Sequence, residues 1–243
     1  MLQGKKDIVS KLQQNIMLWE GFKAPSTGTV NQFGLGIIEA SFANGVFPTG
    51  AIHEFLNFKP EHAAASGGFV AGLLQPILKA SGICLWIGTS RTIFPVALAY
   101  FGVSPDRVVF IDAIKEKDVL WATEEALKCN SVAAVVAEVS KLSFAQSRRL
   151  QLAVEKSSTT GFILRNDPNA LSTTTCVARW RITPLPSAPE DGMPGVGFPR
   201  WNVELIKVRN GNSGVWQVEW RNDRFLLVTE QENTSVDVIR KVG

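Results

Sequence analysis

Short apolar runs alternate, from about residue 51 to residue 164, with stretches whose apolar residues recur every three or four positions. Ala51 to Phe58, Ile83 to Ile87, Arg107 to Ile111, Val132 to Ala137 and Gly161 to Leu164 are strand-sized and apolar almost throughout. Between them, His62 to Ala80, Thr92 to Phe101, Glu116 to Lys128 and Phe144 to Lys156 carry helical periodicity. Gly72 and Pro76 weaken the first of these helices, and Gly102 followed by Pro105 stops the second. Strands that are apolar on both faces need helices on both faces. The pattern therefore predicts a three-layer α/β core with a mostly parallel central sheet.

Past Asn166 the period changes from helical to alternating. Cys176 to Ile182, Trp201 to Val208, Val215 to Trp220 and Phe225 to Val228 read as antiparallel strands that extend or flank the sheet, with Asn210 to Gly214 as a hairpin turn. The Pro/Gly-rich stretch 184–199 has little to bury and is expected to be a mobile loop. Ahead of the core, Ile8, Leu12, Ile16 and Trp19 mark an amphipathic helix from Lys5 to Phe22, expected to dock on its own domain rather than serve as an arm for a partner. A Gly/Ser/Thr/Pro-rich loop (24–36) and a short helical stretch from Ile37 to Phe42 follow it. Three parts result: an N-terminal helix and linker (1–34), the α/β core (35–166) and a C-terminal antiparallel extension (167–243).

Composition narrows the class. With 45% apolar and 19% charged residues in 243, the chain is neither disordered nor fibrous, and its core can be sizeable. Cys84, Cys129 and Cys176 are odd in number and widely spaced, which suits reduced cysteines rather than a disulfide framework or a zinc cluster. No run is long enough to span a membrane and the first residues lack a signal-peptide core, so a cytoplasmic protein is expected. A net charge of +3 does not by itself argue for nucleic acid. Its placement says more: between His62 and Pro105 there is no carboxylate, and the basic residues are Lys79 and Arg91.

The run Gly45-Val46-Phe47-Pro48-Thr49-Gly50-Ala51-Ile52-His53-Glu54-Phe55, before a small-residue segment and a helix, resembles the start of the nucleotide-binding core of RecA-like recombinases. Asp118 to Leu127, Ser147 to Ala153, and Arg200 to Leu205 with Val215 to Trp220 are similar, in order, to segments of the ImuA family, RecA-like accessory proteins of mutagenic repair cassettes grouped with SulA-like division inhibitors. The resemblance covers roughly residues 35 to 221. It implies a RecA-like fold and an adaptor in damage-induced error-prone translesion synthesis. The partners it implies are RecA, a Y-family polymerase-like protein and a replicative-type error-prone polymerase.

The chemistry of a RecA-like ATPase is another matter. A phosphate loop needs glycines that free backbone N–H groups, a Lys for the β and γ oxygens, and a Ser or Thr hydroxyl for Mg²⁺. At the matching place stands Phe58 to Phe69, a degenerate loop in which Lys59, Glu61, Ser66, Gly67 and Gly68 include no Gly-Lys-Ser/Thr triplet. Ile87 is followed by Gly88-Thr89-Ser90-Arg91, without the acid that polarises attacking water, and Glu138 occupies the metal-acid position. Hydrolysis, cofactor and resident metal are therefore not expected. Lys59 or Arg91 as an unusual cation, and an anion held at a helix N-terminus at Ser66-Gly67, are the routes left to residual nucleotide binding. His53 and His62 lack the clustered partners of a zinc site, and Asp112 reads as a cap for the helix after it.

Function must then rest on surfaces. Arg148 and Arg149 with Lys141 and Lys156 form a basic helix region, either a contact for DNA or an acidic partner or a solvated face. The C-terminal hairpin carries Arg179, Arg181, Arg200, Trp216, Trp220, Arg221 and Arg224, residue types that dominate interface hot spots and stack on bases. Trp180 and Trp201 read better as covers for the sheet edge. Three functions remain open: a non-catalytic adaptor, an atypical DNA-dependent ATPase, and a SulA-like division inhibitor.

Overall fold

The computed structural model describes residues 33–80, 82–90, 93–166, 172–188 and 196–228. The expected N-terminal helix, Arg91 and the chain after Val228 lie outside these residues. Five strands, β1 (Ile52–Asn57), β2 (Ile83–Gly88), β3 (Val108–Asp112), β4 (Val132–Val139) and β5 (Thr160–Asn166), alternate with four helices, α1 (Pro60–Ala80), α2 (Pro95–Tyr100), α3 (Glu116–Leu127) and α4 (Phe144–Ser157). All five strands pair in parallel, in the order β3-β2-β4-β5-β1. α1 packs on one face, and α3 with α4 on the other. The second face closes over a core that includes Ile52, Ile87, Val135, Ala137 and Ile163 from the strands and Val119, Leu127, Leu150 and Val154 from the helices.

The alternating half joins the same sheet. β6 (Ala178–Ala188) lies parallel to β1, and β7 (Phe198–Val208), β8 (Gly214–Arg221) and β9 (Arg224–Leu227) follow it antiparallel, giving nine strands. Two expectations need correction here. The loop expected at 184–199 is narrower, because β6 continues through Pro184 and Pro186 to Ala188 and β7 begins at Phe198. Proline fits because its fixed φ is compatible with extended backbone and a bulge between Leu185 and Ala188 relaxes the ladder. The rest of that loop lies outside the described residues. The second helix is shorter than its pattern, beginning at Pro95, whose ring suits the first helical position.

The β7–β8 turn shows why glycine sits at 211. Asn210 adopts a positive φ of 55°, and the next residue crosses so close to the Ser41 carbonyl that a side chain there would collide with it. Asn212 N–H then donates to that carbonyl at 2.9 Å, tying the hairpin to the 3₁₀ turn Gly36–Ser41.

α1 meets the antiparallel half through its own glycines. A Cβ at Gly68 would lie 3.0 Å from Phe101 and 3.2 Å from Trp201, and one at Gly72 would lie 2.6 Å from Phe225 and 2.8 Å from Trp220. Four residues apart, the two glycines form one notch on the helix, and the rings of four aromatics fill it. Trp180 and Trp201 are buried in this aromatic layer, 0% and 4% exposed, rather than covering an edge. They belong inside because β6 and β7 are interior strands of the sheet.

The β1–β6 seam is fixed on both sides. Toward α4, the buried Glu54 carboxylate accepts from Arg165 Nη1 at 2.8 Å, Arg179 Nε at 2.8 Å and Thr174 Oγ1 at 2.8 Å. Toward α1, His53 stacks on Phe47 at 4.4 Å. The Trp180 indole N–H donates to His53 Nδ1 at 3.4 Å, so the ring proton sits on Nε2 and donates to the Pro48 carbonyl at 2.7 Å. Burial drives the His53 pKa down to about 4, outweighing the opposing bond to Pro48. The ring is neutral in the fold.

Three measurable consequences follow for stability. Gly72→Ala gains about 1 kcal/mol of helix propensity, but the collision with two packed rings costs about 1–3 kcal/mol. Urea titration should therefore show net destabilisation, and a stabilised variant would refute the packing role. Glu54→Gln leaves two guanidinium groups without their counter-charge, and a loss of about 3–5 kcal/mol is expected in the same assay. For His53, the unfolded chain binds the proton that the folded one refuses, so stability is full above about pH 6.5 and declines as the pH falls toward 4. The decline reaches about 3 kcal/mol, and His53→Gln should remove that part of the slope.

Candidate functional site

In an open α/β sheet, ligands are held outside the carboxyl ends of the strands. Here those ends are Asn57, Gly88, Asp112, Val139 and Asn166. β1 reaches α1 through Phe58 and Lys59 alone. That is too short to wrap a phosphate group in backbone N–H donors. Pro60 opens the helix, and the Lys59 carbonyl takes the N–H groups of His62 at 3.0 Å and Ala63 at 3.2 Å. The alanine-rich run that follows propagates helix without interruption.

The residues expected in a degenerate loop are thereby relocated. Ser66, Gly67 and Gly68 lie inside α1 and are buried, so the anion-holding helix N-terminus expected at Ser66-Gly67 does not exist there. Ser66 Oγ instead donates to Asn57 Oδ1 at 2.6 Å. Lys59 and Glu61 are exposed at the start of the helix, in a loose pair of 3.9 Å. His62 is next to them, its pKa lowered by burial and by Lys59 and Arg181 against the pull of Glu61.

Glu138 does stand at the end of β4, and it is buried. Its carboxylate accepts from Trp86 Nε1 at 2.7 Å and from Asn166 Nδ2 at 3.5 Å. Asn166 Oδ1 in turn accepts from Asn57 Nδ2 at 2.8 Å. A continuous polar chain thus runs Trp86, Glu138, Asn166, Asn57, Ser66, linking β2, β4, β5, β1 and α1 across the rim where a nucleotide would lie. Among the described residues no three His, Cys, Asp or Glu side chains converge as a metal site.

The loop after β4 is held from α3. Glu116 accepts from Ser140 N at 2.9 Å, Ser140 Oγ at 2.5 Å and Lys141 N at 2.8 Å. Burial raises the Glu116 pKa, but these bonds outweigh it and leave the carboxyl below its ordinary range. The N-cap position of α3 is Lys115, which supplies no side-chain cap, so Asp112 does not stand at the cap position expected of it.

The surface candidates separate into two groups. Arg179 is not a free contact: besides Glu54, it donates to Ser172 O at 2.7 Å and Thr174 Oγ1 at 3.1 Å. Arg200 pairs with Glu219 at 2.6 Å and is mostly covered, and Trp220 is buried with its indole N–H on Tyr100 O at 3.3 Å. These three serve the fold, because each finds its partner on a neighbouring strand or helix. Arg181 meets Glu204 at 2.7 Å across β6 and β7, and Arg221 sits 4.6 Å above the Phe198 ring. Trp216 is half-buried, while Arg224, Lys141 and Arg148 are exposed. Arg149 is exposed and bonded to Glu124 at 2.5 Å. Sequence reading missed Trp121, which is 65% exposed on α3. Its signal was present, since it lies off the stripe of Val119, Thr123, Ala126 and Leu127 that α3 buries.

Among the described residues no helix is long and apolar enough to cross a membrane. The order β3-β2-β4-β5-β1 with helices on both faces is the RecA-like α/β fold, and the crystal structure of the RadB recombinase superposes with a TM-score of 0.53 at 13% identity, covering 74% of this chain and 92% of that one. No protein-family model matches the chain. Protein ImuA of Caulobacter vibrioides strain NA1000 / CB15N is 33% identical over 199 residues, 77% of this chain and 82% of that protein. Protein ImuA of strain ATCC 19089 / CIP 103742 / CB 15 gives the same figures. With that identity over most of both lengths, on a RecA-like sheet, the chain belongs to the ImuA family.

Proposed function

We propose that this protein is a RecA-like adaptor of DNA damage-induced mutagenesis that works through its surfaces and does not hydrolyse nucleotide. The observation that supports the non-catalytic half is the two-residue link between β1 and α1. Phosphoryl transfer depends on positioning and charge stabilisation, and those come from a nest of N–H groups, a Lys and a water-orienting acid. The first has no room in this link, and the stretch from His62 to Pro105 supplies no acid. Glu138 is engaged by Trp86 and Asn166.

The mutagenic half is supported by membership of the ImuA family. In this reading the protein acts in the cytoplasm during the SOS response, with RecA, a Y-family polymerase-like protein and a replicative-type error-prone polymerase as partners in translesion synthesis. It needs no bound cofactor. Arg148, Lys141 and Arg224 remain as exposed cations for an acidic partner or for DNA.

Two measurements address the two halves separately. Deleting the gene should lower the frequency of damage-induced mutations, and the intact chain should restore it. An unchanged frequency overturns the mutagenic role, and filamentation on overexpression in its place would favour a division inhibitor. Titration of a fluorescent ATP analogue with and without Mg²⁺ should show no saturable micromolar binding, and DNA should stimulate no phosphate release. Either signal overturns the non-hydrolysing reading.

A further inference from the structure

α3 and α4 lie side by side on one face of the sheet, and the sides they turn outward carry more than solvating charge. Trp121 on α3 is 65% exposed and Leu152 on α4 is 44% exposed, with Ile114, just before α3, at 91%. Covering a side chain of this size is favourable, and the fold forgoes most of that gain at Trp121. An ion pair spans the two helices at this face. Arg149 of α4 bonds Glu124 of α3 at 2.5 Å, and Glu124 also pairs with Lys128 at 3.3 Å. Trp121 stands one turn before Glu124, and Leu152 one turn after Arg149, so the two apolar side chains flank this ionic bridge.

The charge around them has a sign. Lys117, Lys128, Lys141, Arg148 and Lys156 are exposed on or beside these helices. Glu124 and Glu125 are occupied by Lys128 and Arg149, whereas Arg148 and Lys156 make no ion pair among the described residues. We propose that the outer face of α3 and α4 docks an acidic segment of a protein partner, with Trp121 and Leu152 as its apolar anchors and Arg148 and Lys156 meeting its carboxylates. This surface goes beyond the adaptor reading and stands whichever process the protein serves.

Other occupants fit the chemistry less well. Nucleic acid would find nothing to stack on Leu152 or Ile114, whereas a polypeptide can cover both. A second copy docked about a two-fold axis would bring the cation cluster against itself. A separate polypeptide with carboxylates around apolar anchors satisfies both groups at once.

The test uses the full chain, panned against displayed random peptides. Enriched peptides should combine Asp or Glu with large apolar residues. The consensus peptide should lose at least about tenfold in affinity toward Trp121→Ala and toward Arg148→Glu, and bind more weakly as salt rises. Both side chains are exposed, and an unchanged melting temperature certifies each variant, with Leu152→Asp as a third. The proposal is overturned if no peptide is enriched, if enriched peptides bind the variants as well as the parent, or if they are basic. It is equally overturned by a Trp121-dependent dimer in sedimentation velocity, or by Trp121-dependent binding of single-stranded oligothymidine in anisotropy.

Discussion

Everything in this molecule depends on β6 lying parallel to β1. That seam joins a parallel, helix-covered half to an antiparallel meander within one sheet, and each side of it carries a different solution to burial. On one side, a carboxylate at 0% exposure is made tolerable by two guanidinium groups and a hydroxyl, because an isolated buried charge would be prohibitive. On the other, an aromatic stack runs from Phe47 through His53 and Trp180 toward Phe55 and Phe69, and the one ionisable ring in it stays neutral with both nitrogens bonded. Apolar association alone would allow β6 to slip by two residues along β1. Glu54 reaching Arg179, its neighbour in register, does not.

The same seam explains the shape of α1. A helix covering both halves must approach β6 and β7 closely, and large aromatics there demand that it present small residues. Gly68 and Gly72 meet that demand. Glycines placed between a strand and a helix are also the mark of a phosphate loop, and this ambiguity is why Ser66 to Gly68 match a degenerate loop although the periodicity from His62 to Ala80 is helical. Only the register of α1 against Phe101, Trp201, Trp220 and Phe225 separates the two uses, and register is a tertiary fact.

The parallel half was legible because its signals are local. A buried strand is a short apolar run, and a helix start such as Ser143 with Gln146 is readable as a capping box. The absence of acid after β2 was legible for the same reason. Partners of individual arginines were not. Arg179, Arg181 and Arg200 look alike in an alternating strand, yet one meets a carboxylate 125 positions away, one a carboxylate 23 away and one a carboxylate 19 away. Those separations are set by strand order and hairpin register. Trp121 is readable from its place on the helix wheel, although tryptophan is more concentrated in the C-terminal strands.

The rim of the parallel strands shows what a phosphate loop at this place would cost the fold. A phosphate loop must leave several N–H groups free to converge, whereas this chain has committed the same stretch to helix from Pro60 onward. Unwinding α1 as far as Ser66 would free those donors, but it would also break the Ser66–Asn57 bond. It would strand the chain through Asn166 to Glu138 and move the glycine notch away from its aromatics. Buried polar groups left without partners cost about 1–3 kcal/mol each, and the packing loss adds to that. Helix propensity, the polar chain and the aromatic layer all favour α1 starting at Pro60, so the first turns of this helix are fixed by the same contacts that hold the sheet together.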